Sequence, residues 1–134
     1  MRILLDSHVF AWAKCAPENL RDEARAALID PANDVFVSVA SAWELFLKHA
    51  RKPMRELAPI LDSGAPGFLD AARDSGIELL DITLDHAAAA AALPPVHRDP
   101  FDRMIVGQSI ADRMTVMTSD PIFKRYPGVR LIAA

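Results

Sequence analysis

Hydrophobic positions change period along this chain, and each change marks an element. Arg2 to Leu5 is a short apolar, β-capable run, and Asp6-Ser7 closes it and can cap a helix through His8, Val9, Phe10, Ala11 and Trp12. Pro17-Glu18 opens a helical stretch to about Ile29, with Leu20, Ala24, Ala27 and Leu28 on its apolar side, before Asp30-Pro31 and Asn33 interrupt it. Asp34 to Val37 (D-V-F-V) predicts a second strand. Beyond Val39, apolar Ala42, Trp43, Phe46, Leu47 and Ala50 recur at helical spacing, and Lys48, Arg51 and Lys52 suit the negative end of that helix.

Pro53 to Gly67 is the most interrupted stretch and is a connector, with a short helix within Met54 to Leu61. Phe68 to Asp74 predicts a helix that Gly76 ends, followed by a third strand at Ile77 to Asp81. Thr83 caps an alanine-rich helix, closely packed over Ala87 to Ala92, which Pro94-Pro95 stops. Asp99-Pro100 opens another helix to about Arg113, before a strand at Thr115 to Thr118 and a last one near Val129 to Ile132. Strands and helices alternate, and the strands are too continuously apolar to face water. The expectation is an α/β sandwich around a mostly parallel sheet.

Composition narrows this picture. A chain of 134 residues fits one domain spanning 1–134, and 51% hydrophobic with 25% charged residues excludes a disordered or collagen-like chain. Fifteen basic residues against 18 acidic give a net charge of -3, so a polyanion must find a local basic patch. Cys15 is the only cysteine, which rules out an internal disulfide and a multi-cysteine zinc site. The first apolar run stops at Asp6 and no later run reaches membrane-span length, so a cytoplasmic protein with no membrane partner is expected.

In parallel α/β folds, functional side chains gather at the carboxyl ends of strands and at the helix starts that follow. Asp6 leaves the first strand there and Asp120 lies just beyond the strand ending at Thr118. Asp99 and Asp102 occupy the first turn of the helix leading into that strand, and Glu44 lies in the second turn of the helix after the second strand. Two carboxylates about 4 Å apart repel by roughly 4 kcal/mol at an effective dielectric of 20, so converging acids take up protons or hold a cation. Oxygen donors without a Cys or His set select Mg²⁺ or Mn²⁺, which can activate water against a phosphodiester. Each acid also has a plain reading: Asp6 as a helix cap, Asp99-Pro100-Phe101-Asp102 as a capped helix start, Glu44 as a solvated helix residue and Asp120-Pro121 as a turn.

Four strings sharpen the choice: L-L-D-S-H-V-F-A-W (Leu4 to Trp12), S-A-W-E-L (Ser41 to Leu45), L-P-P-V-H-R-D-P-F-D-R-M-I-V-G-Q (Leu93 to Gln108) and T-S-D-P-I-F-K-R-Y-P-G-V (Thr118 to Val129). Together they resemble PIN-domain ribonucleases, specifically the toxin subunit of VapBC-type toxin–antitoxin pairs. The resemblance implies a PIN-like three-layer α/β/α sandwich on a five-stranded parallel sheet of order 3-2-1-4-5. It implies metal-binding roles for Asp6, Glu44 and Asp102, with Asp120 as a fourth position, Asp99 in the same motif, and supporting hydroxyls at Ser7 and Ser119. The implied reaction is metal-dependent endonucleolytic RNA cleavage to 5′-phosphate and 3′-hydroxyl ends, with a VapB-type antitoxin and a second copy of the chain as partners. Val106-Gly107-Gln108 departs from a more usual Ile-Ala pair, a change that bears on helix packing.

RNA needs cations along its approach, and Arg98, Arg103, Lys48, Arg51, Lys52 and Lys124-Arg125 are the candidates. His8 and His97 read as helix-end or packing residues ahead of phosphate contacts, and Trp12, Trp43 and Phe46 as core or interface ahead of base-stacking platforms. Other classes fit less well. A haloacid-dehalogenase-type hydrolase needs an Asp where His8 stands, and a receiver domain needs a lysine after its last strand, where Ile132-Ala133-Ala134 stands. A catalytically inert partner-binding module is the alternative.

Overall fold

Side-chain alternation along the strands decides the layers. The computed structural model describes all 134 residues and contains strands β1 (Arg2–Leu5), β2 (Asp34–Ser38), β3 (Ile77–Leu80), β4 (Thr115–Thr118) and β5 (Arg130–Ala133). Its helices are α1 (Ser7–Cys15), α2 (Asp22–Ile29), α3 (Val39–Arg51), α4 (Ala58–Leu61), α5 (Gly64–Asp74), α6 (Leu84–Ala91) and α7 (Pro100–Ala111), with 3₁₀ turns at Pro17–Asn19 and Pro121–Arg125. Ile3, Leu5, Val35, Val37, Ile77 and Met117 enter one core with α1, α2, α3 and α5, while Leu4 and Val116 enter another with Ile105 and Val106 of α7. Both faces of the central strands β1 and β4 are therefore covered, as a parallel sheet requires, while the edge strands β3 and β5 are partly exposed.

The sheet runs β3-β2-β1-β4-β5, parallel throughout. The chain reverses its direction of travel across the sheet between β1 and β4, which makes their carboxyl ends the switch point. Leu5 pairs with Met117 in this register, so Asp6 lies beside Thr118. The expected architecture and strand order are observed.

Element boundaries differ from the sequence reading where proline and glycine are involved. The stretch from Pro17 forms only a 3₁₀ turn, and α2 starts at Asp22. Helix α5 begins at Gly64, four residues before Phe68, because Pro66 lies in the first turn, where its missing N–H costs no hydrogen bond. Gly67 has a different task. A Cβ there would sit 2.5 Å from the Ile60 carbonyl oxygen, so the α4–α5 corner needs a bare Cα. A similar contact joins α6 to α7: a Cβ on Gly107 would lie 2.6 Å from the backbone nitrogen of Ala90. The alanine run of α6 and Gly107 thus let the two helices touch backbone to backbone, and this contact seats the helix that carries Asp102.

Candidate active site

Asp6 is built by secondary structure. It caps α1, with Oδ1 accepting from the Val9 N–H at 2.8 Å, and its own N–H donates to the Met117 carbonyl at 3.2 Å. Oδ2 accepts from the hydroxyl of Thr118, the residue that the β1–β4 register sets beside it. Only 4% of Asp6 is exposed, and this burial pushes its carboxyl above the ordinary range; the Thr118 and Val9 hydrogen bonds and His8 pull it down, and Asp120 pushes it up.

Glu44 lies on α3 and is buried. Its Oε1 accepts from the Ser7 hydroxyl, and its Oε2 lies 3.7 Å from the Lys48 ammonium one turn along. The residue after Asp6 thus reaches Glu44. One turn before Glu44 on the same helix side, Ser41 Oγ is buried without a hydrogen-bond partner.

Asp99 caps α7, with Oδ1 accepting from the N–H groups of Phe101 and Asp102 at 2.9 and 3.1 Å. Asp102, three residues on, makes no such backbone bond. Its Oδ2 accepts from His97 Nε2 at 3.1 Å, and His97 Nδ1 lies 2.5 Å from the Tyr126 hydroxyl. Burial raises the Asp102 carboxyl to about 6, aided by the charges of Asp99 and Glu44 and opposed by His97. Asp120 is exposed and caps the second 3₁₀ turn, with Oδ1 accepting from the Ile122 N–H at 3.0 Å. Thr118 joins the two sides of the switch point by donating to Asp6 and accepting from the Asp120 N–H at 3.0 Å.

The acids therefore occupy one edge and influence one another as Asp6 with Asp120 and as Asp102 with Asp99 and Glu44. No three of them stand close enough to share one ion as they are placed. The chemistry of the donor set fits a hard divalent cation: oxygen donors only, with Asp6 and Asp102 raised by burial and by neighbouring acids and no arginine pairing any of them.

Cations line the approach. A cleft of about 510 Å³ is bounded by Glu44 and Asp99 together with Lys48, Arg51, Arg98 and Phe101. A neighbouring groove carries Lys52 beside the same Lys48 and Arg51.

The sequence pattern of the PIN domain matches residues 3–129. This chain belongs to the PIN-domain family. It is 32% identical over 119 residues to Ribonuclease VapC22 of Mycobacterium tuberculosis (strain ATCC 25618 / H37Rv), a match covering 88% of this chain and 86% of that protein. Its fold resembles the crystal structure of VapBC2 from Rickettsia felis bound to a promoter DNA fragment, with a TM-score of 0.70, 20% identity and 98% of each chain covered. It also resembles DNA-bound VapBC from Salmonella typhimurium, with a TM-score of 0.67, 19% identity and coverage of 98% of this chain and 97% of that one.

Within this PIN domain three side chains take roles that the sequence did not display. Arg103, a candidate for RNA contact, places its guanidinium on the carbonyls of Pro94, Ala90 and Leu93 at 2.9, 3.3 and 3.1 Å. It ties the end of α6 to α7. Ser119, a candidate supporting hydroxyl, is exposed and hydrogen-bonds nothing, whereas the neighbouring Thr118 holds Asp6. The strand register was the available signal, since the residue after Met117 had to face Asp6. His97 does more than pack edge-on against Tyr126, because both ring nitrogens are engaged, one by Asp102 and one by the Tyr126 hydroxyl.

Proposed function

We propose that this PIN domain is a Mg²⁺- or Mn²⁺-dependent endoribonuclease toxin that hydrolyses RNA phosphodiesters to 5′-phosphate and 3′-hydroxyl ends. The observation that carries the reading is the cleft itself, in which buried Glu44 and half-buried Asp99 share one wall with Lys48, which pairs with Glu44, and with Arg51 and Arg98, which make no ion pair. Asp6, Glu44 and Asp102 would hold the cation, with Asp120 and Asp99 completing the acidic rim. When bound, the ion supplies a Lewis acid for the phosphate and lowers the pKa of attacking water. Arg98, Lys48, Arg51 and Lys52 hold phosphates of the strand and offset the repulsion between RNA and the acids. Ser7 keeps Glu44 turned toward the Asp6 side, and Asp120 Oδ2, which accepts no hydrogen bond, is free to orient water.

A cognate VapB-type antitoxin is the proposed inhibitor, in keeping with the toxin–antitoxin complexes of similar fold. An apolar groove of about 380 Å³ lined by Ala11, Trp12, Cys15, Met54 and Leu57 suits a hydrophobic segment of such a partner. Exposed Trp43 and Leu47 on α3 suit a contact with a second copy of the chain. Cytoplasmic action follows from an RNA substrate, and no helix is long and apolar enough to cross a membrane. The pairwise spacing of the acids favours one other reading, an inert partner-binding module. Incubation of antitoxin-free protein with structured RNA, with and without Mn²⁺, decides between them. Metal-dependent cleavage leaving 5′-phosphates, lost in Asp6→Asn, is the expected result; intact RNA at every Mn²⁺ concentration sinks the nuclease reading.

A further inference from the structure

Asp6 and Asp102 are held in different ways. Two donors from secondary structure fix Asp6, the Val9 N–H and the Thr118 hydroxyl. Asp102 has a single donor, His97, and that donor comes from the connector between α6 and α7 rather than from a strand or helix. The hydrogen-bond direction is set by charge: a carboxylate oxygen accepts, so Nε2 of His97 carries the hydrogen. In the neutral ring Nδ1 is then the acceptor, and the hydroxyl of Tyr126 donates to it. Tyr126 is only 3% exposed and belongs to the core beneath α7, with Leu4, Ile105 and Phe123. A chain of two hydrogen bonds thus runs from the apolar core to Asp102 Oδ2 and leaves Oδ1 without a donor.

We propose that His97, fixed by Tyr126, is a positioning residue that occupies Oδ2 of Asp102 and so presents Oδ1 as the oxygen offered to the divalent cation. The inference rests on the reading of Asp102 as a cation ligand. Without His97, a carboxylate in the first turn of a helix is free to rotate about its side-chain bonds, and a ligand that must be ordered on binding holds its ion more weakly. Packing alone does not account for this arrangement, because a residue that only filled space has no need of a carboxylate at one nitrogen and a buried hydroxyl at the other.

Mn²⁺ titration of the full chain by calorimetry and by the loss of the free-ion paramagnetic signal tests this directly. His97→Ala is expected to weaken Mn²⁺ binding by about 10- to 100-fold. His97→Gln, whose amide N–H can replace Nε2–H, recovers most of that loss, and Tyr126→Phe falls between His97→Ala and the unaltered chain. In an Asp102→Asn background, His97→Ala should add nothing further. Unchanged Mn²⁺ affinity in His97→Ala, with the affinity lost in Asp102→Asn, overturns the positioning role and leaves the ligand assignment standing. Unchanged affinity in Asp102→Asn removes the ligand assignment itself. If His97→Ala fails to fold, the ordering of His97→Gln and Tyr126→Phe decides, since equal affinity in both and in the unaltered chain rejects the proposal.

Discussion

Helix α7 carries a histidine–aspartate pair at each end, and the two pairs differ in what surrounds them. At the carboxyl end, His86 Nε2 meets Asp112 Oδ2 at 2.8 Å, while its Nδ1 accepts from the Thr83 N–H at 3.1 Å in a capping box that starts α6. Asp112 also accepts from Arg2 through its backbone carbonyl at 2.7 Å, so this pair locks α6, α7 and β1 together. At the amino end, His97 joins Asp102 to a tyrosine hydroxyl, and Asp102 stands in the company of Asp99 and Glu44. The same bond thus serves as a joint at one end and aims a carboxylate at the other. A buried His–Asp contact carries no functional message alone; the partner of the second nitrogen and the charges near the acid decide it.

The largest effect separates the two aspartates. Asp102→Asn should lower RNA cleavage by more than about 100-fold with an unchanged circular dichroism spectrum, whereas Asp112→Asn should leave turnover per folded molecule intact. Equal losses in the two variants would erase the distinction. His86→Ala should show the reverse pattern, costing about 2 kcal/mol in urea denaturation by orphaning the Thr83 N–H and opening a cavity, again with turnover preserved.

A pH series sharpens the comparison next. The Asp102 carboxyl is raised to about 6, above its unfolded value, so between about pH 4 and 6 the folded chain binds the extra proton. Metal-free stability should accordingly fall as pH rises through that window, by on the order of 2 kcal/mol, and remain lower above it. Asp102→Asn should flatten this decline; an unaltered slope in that variant would place the proton elsewhere. The smallest effect concerns the stop of α7. Arg113 adopts φ 55°, and the Met114 N–H closes back on the Ser109 carbonyl at 2.8 Å. Arg113→Gly should raise the unfolding midpoint by up to about 1 kcal/mol equivalent without altering cleavage.

The sequence was most legible where a side chain is placed by its own element. Asp6 after an apolar strand, Asp99 before Pro100 and the alternating strand residues all follow from local rules, and the strand order followed from the family resemblance. Less legible were contacts set by distant backbone. The start of α5 at Gly64 depends on how closely Ile60 approaches Gly67, and the task of Arg103 depends on where α6 ends. His97 and Tyr126 lie 29 positions apart on irregular segments with no periodicity to connect them. Thr118 was within reach, because strand pairing alone opposes it to Asp6.

The bond between Thr118 and Asp6 spans 112 positions of the chain, nearly its whole length. During synthesis β1 emerges first and waits, since its neighbour on the acidic side is among the last segments to leave the ribosome. Closing so long a loop is slow, and a chain that stops short of Thr118 leaves Asp6 without that partner. A nascent chain thereby lacks the hydroxyl that fixes Asp6 until translation is all but complete.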